Sequence, residues 1–469
     1  MIKFGTDGWR AIIADDFTFQ NLRYVALATA RYAKKQASRH RPSVVIGYDT
    51  RFLSREFARE VARVMVQEGI NVHITFHMTS TPQVSFATKQ KRATVGVIIT
   101  ASHNPPIYNG FKVKATFGGP AAPEQIAAIE EELAKILKNP PKKWDLTDFD
   151  TLVTKRKISL FSARESYWRH IRRKIDLELI NSRRFKIAYD PMYGAGIHLL
   201  EPLVPKAITI HNEWNPGFGE LHAPEPIEAN LRELIQLVQE EECDIGIATD
   251  GDADRLGVVD SDGHYVTPHQ VFMLLLKYLY ESRKKRGIVV KTVSLTSMVD
   301  LYCQKRGIRL VETPVGFKHI AKLMAEERVL IGGEESGGFA TALHIPERDG
   351  LFAGLLLLEM LARRKTSLKQ LCRDLDEEFG PHRFLRRDVR VTTEEKDAIM
   401  KAFAKKPKKI GKFRVDHVST LDGYKFFFEG GGWLLVRPSG TEPLIRFYAE
   451  ADSLGKAHEM IEAAVQIAK

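Results

Sequence analysis

Strand and helix patterns alternate along most of the chain, and this alternation is the feature that most constrains the fold. Ser43–Tyr48 and Asn71–Phe76 have the apolar, β-branched composition of strands, and Ser54–Glu68 between them has apolar residues at helical spacing. The same succession returns around Phe185–Tyr189 and again around Gly287–Val290. Because strands separated by helices are joined by crossovers, the sequence predicts α/β domains whose sheets are covered by helices.

The pattern changes near Ser367. Beyond this residue, β-rich segments such as Trp433–Arg437 and Ile445–Ala449 follow one another with fewer crossover helices, which predicts a smaller α+β domain. We therefore predict three consecutive α/β domains with helix-covered mixed sheets, followed by the α+β domain, around a central cleft. The predicted domains are residues 1–150, 151–258, 259–366 and 367–469.

Composition limits the kinds of partner that the chain can have. The formal net charge is +11, but the lysine-rich run at 405–409 has no interleaved aromatic residues, so we expect a solvated loop and no nucleic-acid partner. No apolar run is long enough to span a bilayer, and the first ten residues do not have the pattern of a signal peptide. The three cysteines are far apart in the sequence, which argues against disulfides or a zinc site and favours a cytoplasmic location.

A serine is predicted at the end of a buried strand. The apolar run at residues 93–99 is followed by the loop Thr100–Pro105, which we call the serine loop and which contains Ser102. Open α/β sheets place their chemistry at such strand ends. Pro105 and the following Pro106 stiffen the loop, since proline fixes φ and has no N–H group. Ser102 is therefore a candidate nucleophile.

Three aspartates alternate with small residues in Asp250–Arg255, which we call the metal loop. Hard oxygen ligands of this kind suit Mg²⁺ or Ca²⁺. A calcium-binding helix-loop-helix does not fit, because its glycine position holds Arg255, its glutamate position holds Ser261, and strands are predicted on both sides. An acidic surface turn without metal is the remaining alternative.

Two further loops and the N-terminal segment have compositions that favour ligand binding. The loop Arg437–Pro443 offers a guanidinium, two hydroxyls and a glycine, as expected for an anion site, although a proline-bounded turn is an alternative. The loop Gly332–Gly338, which we call the sugar loop, has acidic side chains that suit sugar hydroxyls, although a flexible surface loop is an alternative. The segment Phe4–Arg10 has two turn-permitting glycines and ends in an arginine.

The order of these segments along the chain resembles that of the α-D-phosphohexomutase family, which includes phosphoglucomutases, phosphomannomutases and phosphoglucosamine mutases. The resemblance implies four domains around a cleft, a phosphoserine, Mg²⁺, and a hexose 1,6-bisphosphate as activator and intermediate. It implies that Ser102 carries the phosphoryl group, that His103 and Lys112 assist proton movement and charge balance, and that Arg10 and Arg255 steady the transferring phosphate. The implied metal ligands are the phosphate on Ser102, Asp250, Asp252 and Asp254.

The resemblance also implies a substrate-binding set. Glu334 and Ser336 would bind sugar hydroxyls, and Lys291 and Lys318 would complete sugar recognition. The non-reacting phosphate would be held by a group that we call the phosphate clamp: Arg437, Ser439, Gly440, Thr441 and Arg446.

The sugar loop resembles that of relatives that act on glucose, so glucose is the expected sugar, with mannose as a second. The N-terminal segment and the phosphate clamp also resemble the glucosamine type, so a phosphoglucosamine mutase is an alternative. A metal-dependent sugar phosphatase, using the aspartates without a phosphoserine, is an alternative of another class. The expected partner is a small sugar phosphate, with no nucleic acid or membrane, and the chain is expected to be a monomer or homodimer.

Overall fold

The structure, a computed structural model, describes residues 2–467 except residues 6, 38–40 and 440–443. Four sheets follow one another along the chain, and helices cover them. This arrangement confirms the predicted fold class of three α/β domains and a C-terminal α+β domain. Among the described helices, none is both long and apolar enough to cross a membrane.

Domain I contains a mixed six-stranded sheet. Its strands are β1 Trp9–Ile12, β2 Ser43–Tyr48, β3 Asn71–Thr75, β4 Val95–Ile99, β5 Tyr108–Lys114 and β6 Ile158–Phe161. Its helices are α1 Phe19–Gln36, α2 Ser54–Gln67, α3 Thr81–Gln90, α4 Pro123–Lys138 and α5 Phe149–Thr154. The strand order is β1-β5-β4-β2-β3-β6, in which β2, β3, β4 and β6 are parallel and β1 and β5 run antiparallel to their neighbours.

Domain II contains a five-stranded sheet in the order β11-β10-β9-β7-β8. Its strands are β7 Ile187–Asp190, β8 Ile208–Thr209, β9 Ile245–Thr249, β10 Leu256–Asp260 and β11 Tyr265–Val266. Its helices are α6 Arg164–Arg172, α7 Leu177–Ser182 and α8 Arg232–Glu240. Since β9 and β10 are antiparallel, the metal loop is the connection of a hairpin.

Domain III contains a four-stranded sheet in the order β13-β12-β14-β15. Its strands are β12 Ile288–Thr292, β13 Leu310–Thr313, β14 Val329–Gly333 and β15 Phe339–Thr341. Its helices are α9 Pro268–Lys277, α10 Met298–Arg306, α11 Phe317–Glu326, α12 Gly350–Arg364 and α13 Leu368–Phe379. The sugar loop joins β14 to β15.

Domain IV contains an antiparallel sheet in the order β16-β21-β20-β19-β18-β17. Its strands are β16 Arg383–Arg390, β17 Lys409–Ile410, β18 Phe413–Ser419, β19 Tyr424–Phe428, β20 Trp433–Pro438 and β21 Leu444–Ala451. Two helices, α14 Thr393–Ala404 and α15 Leu454–Ile467, complete the domain.

Helix α12 connects domains II and III. Nearly all of its side chains are buried, as expected for a helix that is apolar on every side. It packs against β9 and β10 of domain II and against α9 and β15 of domain III, so the two domains share one large core. Its first residue, Gly350, donates its N–H to the carbonyl of Ala253 at 3.1 Å, so the helix begins at the metal loop.

The three predicted domain boundaries fall earlier than the changes of sheet. Residue 150 lies inside α5, and β6 still pairs with β3 of the first sheet. Residue 258 lies inside β10, and α13, beyond residue 366, packs into the shared core of domains II and III. A linker composition marks where a helix ends, but it does not show that one more strand or helix will return to the preceding core.

One buried histidine predicts a pH dependence of stability. His211 lies 3.0 Å from Asp190 through Nδ1 and 3.0 Å from Glu233 through Nε2. Burial lowers its pKa, but the hydrogen bonds and negative charges of these carboxylates outweigh burial and raise the pKa to about 9. Because the folded-state pKa lies above the unfolded value, the stabilisation is complete below pH ~6.5 and is lost as the pH rises to about 9.

We expect the free energy of unfolding to fall by about 1–2 kcal/mol over this range, after allowing for solvent screening. Calorimetric melting at several pH values checks this, and His211→Gln should flatten the profile. An equally steep decline in the variant would contradict the assignment.

Candidate active site

Ser102 follows β4 in a conformation that is unusual for serine. Its φ is +54°, in the left-handed region, which costs energy for a residue with a Cβ. Its N–H donates to Thr100 Oγ1 at 2.8 Å, and its side chain is buried. Ser102 Oγ donates to Asp250 Oδ2 at 2.9 Å, so the serine loop and the metal loop meet at the predicted nucleophile.

The backbones of these two loops also touch. A Cβ placed on Gly251 would lie 2.3 Å from the carbonyl oxygen of Ser102, closer than any side chain tolerates. Glycine in the metal loop is therefore required for the close approach of Asp250 to the serine.

The three predicted metal ligands converge. Asp250, Asp252 and Asp254 are fully buried, and each offers a carboxylate oxygen within 4.8 Å of the others. Asp252 Oδ1 and Asp254 Oδ1 are buried without a hydrogen-bond partner, so each has an oxygen free for a cation. The donor set and these two oxygens fit a hard divalent cation such as Mg²⁺. The flanking antiparallel strands confirm that the loop is not a calcium-binding helix-loop-helix.

The pKa values of Asp250 and Asp252 shift in opposite directions. Burial, with repulsion from Asp252 and Asp254, raises the pKa of Asp250 well above its ordinary value. Burial would also raise the pKa of Asp252, but the charge and hydrogen bond of Lys112 outweigh it and lower the pKa. Repulsion within the triad therefore disfavours the charged form of Asp250, and a bound cation would relieve that repulsion.

Lys112, on β5, is surrounded by carboxylates from other segments. Its Nζ lies 2.8 Å from Asp252 Oδ2, 2.8 Å from Asp7 Oδ2 and 3.5 Å from Asp254 Oδ2. Burial lowers its pKa, but these carboxylates outweigh burial and raise it, so the side chain is an ammonium. Lys112 can therefore balance negative charge, and the carboxylates around it make its ammonium hold the proton more strongly than a free lysine does. The sequence analysis did not assign a role to Asp7, although it lies in the Phe4–Arg10 segment.

His103 is placed to accept a proton near the serine. Its Nδ1 lies 3.4 Å from Ser102 Oγ, and its Nε2 lies 3.4 Å from Arg255 Nη2. Burial, followed by the charge of Arg255, holds the pKa of His103 well below its ordinary value. The ring is consequently neutral at physiological pH, so one of its two nitrogens carries a lone pair that can accept a proton.

The two arginines that are predicted to steady the transferring phosphate lie beside the serine loop. Arg10 Nη1 donates to Asn104 Oδ1 at 2.7 Å, and Arg255 Nη1 donates to Glu225 Oε1 at 2.7 Å. Arg10 thus contacts Asn104 of the serine loop, and Arg255 contacts His103 of the same loop. The two guanidinium groups therefore face the serine loop from domains I and II. Glu225 is a partner that the sequence did not indicate.

Glu334 of the sugar loop is buried and held at both oxygens. Its Oε1 accepts the Gly316 N–H at 3.0 Å, and its Oε2 accepts from Arg348 Nη1 at 3.1 Å. Burial raises its pKa, and Arg348 opposes this shift. The neighbouring Glu335 accepts from Ser294 Oγ at 2.5 Å, and Ser336 is half-buried.

Arg348 joins three domains and was missed by the sequence analysis. Its Nη2 donates to Asp254 Oδ2 at 2.6 Å and to Asp7 Oδ2 at 2.7 Å, while Nη1 reaches Glu334. A Cβ on Gly338 would lie 2.2 Å from Arg348 Cδ, so the glycine leaves the space that the arginine fills. The metal loop and the sugar loop are therefore connected through one guanidinium group.

Among the described contacts, neither predicted sugar-binding lysine has a side-chain bond to Glu334. Lys291 is buried, its Nζ bonds to Asp300, and it lies 3.6 Å from Glu312 Oε1. Lys318 is half-buried in the first turn of α11. Lys291 lies opposite Gly333 of the sugar loop in the parallel pair of β12 and β14, but its side chain bonds to Asp300. The roles of both lysines stay predictions.

The phosphate clamp lies at the ends of β20 and β21. Arg437 and Arg446 are directly opposite each other across the two strands. Like charges in such a pair are destabilising unless anions offset them, and here Asp422 lies 2.7 Å from Arg437 Nε and Asp388 lies 3.6 Å from Arg446 Nε. Ser439 donates its N–H to Leu444 O at 2.9 Å. The predicted Gly440 and Thr441 lie outside the described residues.

Arg51 holds the serine loop by its backbone. Its two terminal nitrogens donate to the carbonyl oxygens of residues 102, 104, 105 and 108 at 2.6–3.0 Å. The side chain is buried, and burial lowers its pKa to about 10, against the attraction of Asp49, so it stays charged at neutral pH. A planar guanidinium can serve this many acceptors at once, whereas an ammonium cannot.

We expect Arg51→Lys to lower kcat by about tenfold or more with little change in KM, because carbonyls of the serine loop lose their donors while the sugar loop and phosphate clamp are untouched. Steady-state kinetics checks this, with Arg55→Lys on the exposed side of α2 as the control. A variant with wild-type kcat would contradict the role of the guanidinium.

A serine at a strand end, hydrogen-bonded to a buried carboxylate triad in a chain of four domains, fits the phosphohexomutases, which are isomerases that move a phosphoryl group within one sugar. Models of phosphoglucomutase/phosphomannomutase alpha/beta/alpha domains I, II and III match residues 1–140, 165–263 and 267–379, and the model of the C-terminal domain matches residues 388–467. The chain belongs to the phosphoglucomutase/phosphomannomutase family.

Individual relatives cover nearly the whole chain. A phosphoglucomutase/phosphomannomutase of Thermococcus kodakarensis is 30% identical over 99% of this chain and 98% of its own length. A Pyrococcus abyssi protein named "Probable phosphoglucosamine mutase" is 33% identical over 99% and 97%. The solved structure of a candidate phosphomannomutase from Thermus thermophilus has a TM-score of 0.84 and 33% identity, covering 99% of this chain and 98% of its own.

Proposed function

We propose that the chain interconverts hexose 1-phosphate and hexose 6-phosphate through phosphorylated Ser102 and a hexose 1,6-bisphosphate. The observation that carries this proposal is the 2.9 Å hydrogen bond from Ser102 Oγ to Asp250 within the buried aspartate triad. A serine hydroxyl in this position can carry a phosphoryl group whose oxygens complete the coordination of a cation.

In the first half of the cycle, the phosphoryl group moves from Ser102 Oγ to a sugar hydroxyl. The Oγ–P bond breaks, the new P–O bond forms at the sugar oxygen, and the hydroxyl proton passes to a base, for which His103 is neutral and near. A bound Mg²⁺ would supply charge neutralisation at the phosphoryl oxygens, held by Asp250, Asp252 and Asp254. Arg10, Arg255 and Lys112 would balance the remaining charge.

The second half reverses these steps at the other end of the sugar. The bisphosphate reverses its orientation within the site. Its second phosphoryl group then passes to Ser102 Oγ, which restores the phosphoserine. The phosphate clamp, including Gly440 and Thr441, would hold the non-reacting phosphate in both orientations, while Glu334 and Ser336 bind sugar hydroxyls and Lys291 and Lys318 complete the contacts. Remote binding of this kind orients the reacting group and contributes several kcal/mol to catalysis.

Glucose is the proposed main sugar and mannose the second, on the likeness of Glu334, Glu335 and Ser336 to the glucose type. The names of the relatives favour a second candidate, glucosamine phosphate. Its ammonium group would find negative charge at Glu335, which lies beside the buried Glu334.

The deciding experiment measures the conversion of glucose, mannose and glucosamine 1-phosphates with Mg²⁺ and a trace of glucose 1,6-bisphosphate. The highest kcat/KM for glucose 1-phosphate supports the proposal, and the highest value for glucosamine 1-phosphate replaces glucose by glucosamine. Stoichiometric release of free phosphate, independent of the bisphosphate, would instead indicate a sugar phosphatase.

A further inference from the structure

Asp422 connects the phosphate clamp to domain III. It lies in the turn between β18 and β19, and its Oδ2 accepts from Arg437 Nε at 2.7 Å. The same oxygen accepts the N–H of Val315 at 2.9 Å, in the loop between β13 and α11. One carboxylate oxygen is thus shared between a clamp arginine of domain IV and the backbone of domain III.

The contact continues from Val315 to the sugar loop. The next residue, Gly316, donates its N–H to Glu334 Oε1 at 3.0 Å, and the other oxygen of Glu334 accepts from Arg348 at 3.1 Å. Arg348 in turn reaches Asp254 of the metal loop. A continuous line of charge-assisted hydrogen bonds therefore joins the phosphate clamp, the sugar loop and the metal loop.

The turn that carries Asp422 is held against the clamp strand. Gly423 has a φ of +78°, and a Cβ at this position would lie 2.3 Å from Val436 O and 3.1 Å from Arg437 Cα. The turn can approach β20 this closely only with glycine. Asp422 is consequently kept between Arg437 and Val315.

We propose that Asp422 is a positioning residue that couples occupancy of the phosphate clamp to the position of the sugar loop. This inference rests on the proposed function. A phosphate group that binds Arg437 shares the positive charge of the guanidinium with Asp422 and so weakens the hydrogen bond from Nε to the carboxylate. The carboxylate, less strongly held by Arg437, then bonds more strongly to the Val315 N–H, which fixes Gly316 and, through it, Glu334.

The other clamp arginine provides a matched control. Asp388 lies 3.6 Å from Arg446 Nε and bonds to Arg386 at 2.7–2.8 Å, and all three residues belong to domain IV. Asp388→Asn therefore changes the charge beside the clamp without touching the Val315–Gly316 segment. Asp422→Asn makes the same chemical change at the connecting position.

The test is hydrogen–deuterium exchange with glucose 6-phosphate as the probe, in a Ser102→Ala background that prevents turnover. Ligand should slow exchange in both the clamp strand 433–438 and the sugar-loop segment 329–341. With Asp422→Asn the clamp strand should stay protected, while most of the protection of segment 329–341 is lost. With Asp388→Asn the sugar-loop protection should be retained.

Steady-state kinetics of variants that keep the native Ser102 gives a second readout. Asp422→Asn should lower kcat about tenfold, because the Val315 N–H loses a charged acceptor. The KM should be unchanged or lower, because Arg437 loses a carboxylate that shares its positive charge with the substrate phosphate. Its effect on kcat should be less than additive with that of Glu334→Gln, whereas Asp388→Asn and Glu334→Gln should be additive.

The two proposals fail in distinguishable ways. The coupling would be overturned if segment 329–341 stayed protected in Asp422→Asn and also in Asp422→Ala, which removes the carboxylate altogether. The proposed function would still stand. If glucose 6-phosphate protects neither segment even with Asp422 present, the clamp does not bind this sugar phosphate, and both the coupling and the choice of glucose as the sugar fall.

Discussion

Ser102→Ala is expected to lower mutase activity by about 10³-fold or more, because the variant has no oxygen to carry the phosphoryl group. The loss should be in kcat, since Arg437 and Glu334, which are proposed to bind the substrate, are unchanged. Intact-mass spectrometry of the wild-type protein should also find a fraction heavier by one phosphoryl group. That fraction should be absent from the variant.

Ser85→Ala is the matched control for this prediction. Ser85 is another buried serine of domain I, and its Oγ donates to Glu347 at 2.8 Å, not to a carboxylate of the aspartate triad. Its loss should cost about 1 kcal/mol of stability and leave kcat near the wild-type value. Full activity of Ser102→Ala would rule out a phosphoserine mechanism at this position.

Asp252→Asn is expected to lower kcat by about 100-fold or more and to weaken binding of Mg²⁺. Asp252 is fully buried, and one of its oxygens has no hydrogen-bond partner. The amide keeps the shape of the side chain but removes the charge that a divalent cation requires. A chelator should inactivate the wild-type protein to a comparable extent, and Mg²⁺ should restore its activity.

Thermal melting separates metal binding from catalysis. A cation that binds only the folded protein raises the melting temperature, so Mg²⁺ should stabilise the wild type and should have little effect on Asp252→Asn. Asp262→Asn, an exposed aspartate of the same domain, should behave as the wild type. An equal upward shift in Asp252→Asn would mean that the triad is not the metal site.

The candidate site was predictable where chemistry is concentrated in a short segment. Ser102 follows a buried strand, and Asp250, Asp252 and Asp254 alternate within five positions, so residue type and spacing were enough to select them. The structure adds that these two segments meet, with Ser102 Oγ 2.9 Å from Asp250. The predicted role of Lys291 in sugar recognition stays a prediction, and the structure adds that its side chain lies beside Asp300 and Glu312.

Local order along the chain was therefore sufficient for the fold class, the serine loop and the aspartate triad, because strand periodicity and ligand spacing are properties of neighbouring residues. The roles of Arg51, Arg348 and Asp422 depend on tertiary structure alone. Arg348 and Asp7 are 341 positions apart, and Val315 and Asp422 are 107 apart. No sequence pattern links such pairs, since their contact exists only after the domains have packed. Packing then places each buried charge beside an opposite charge or a backbone donor.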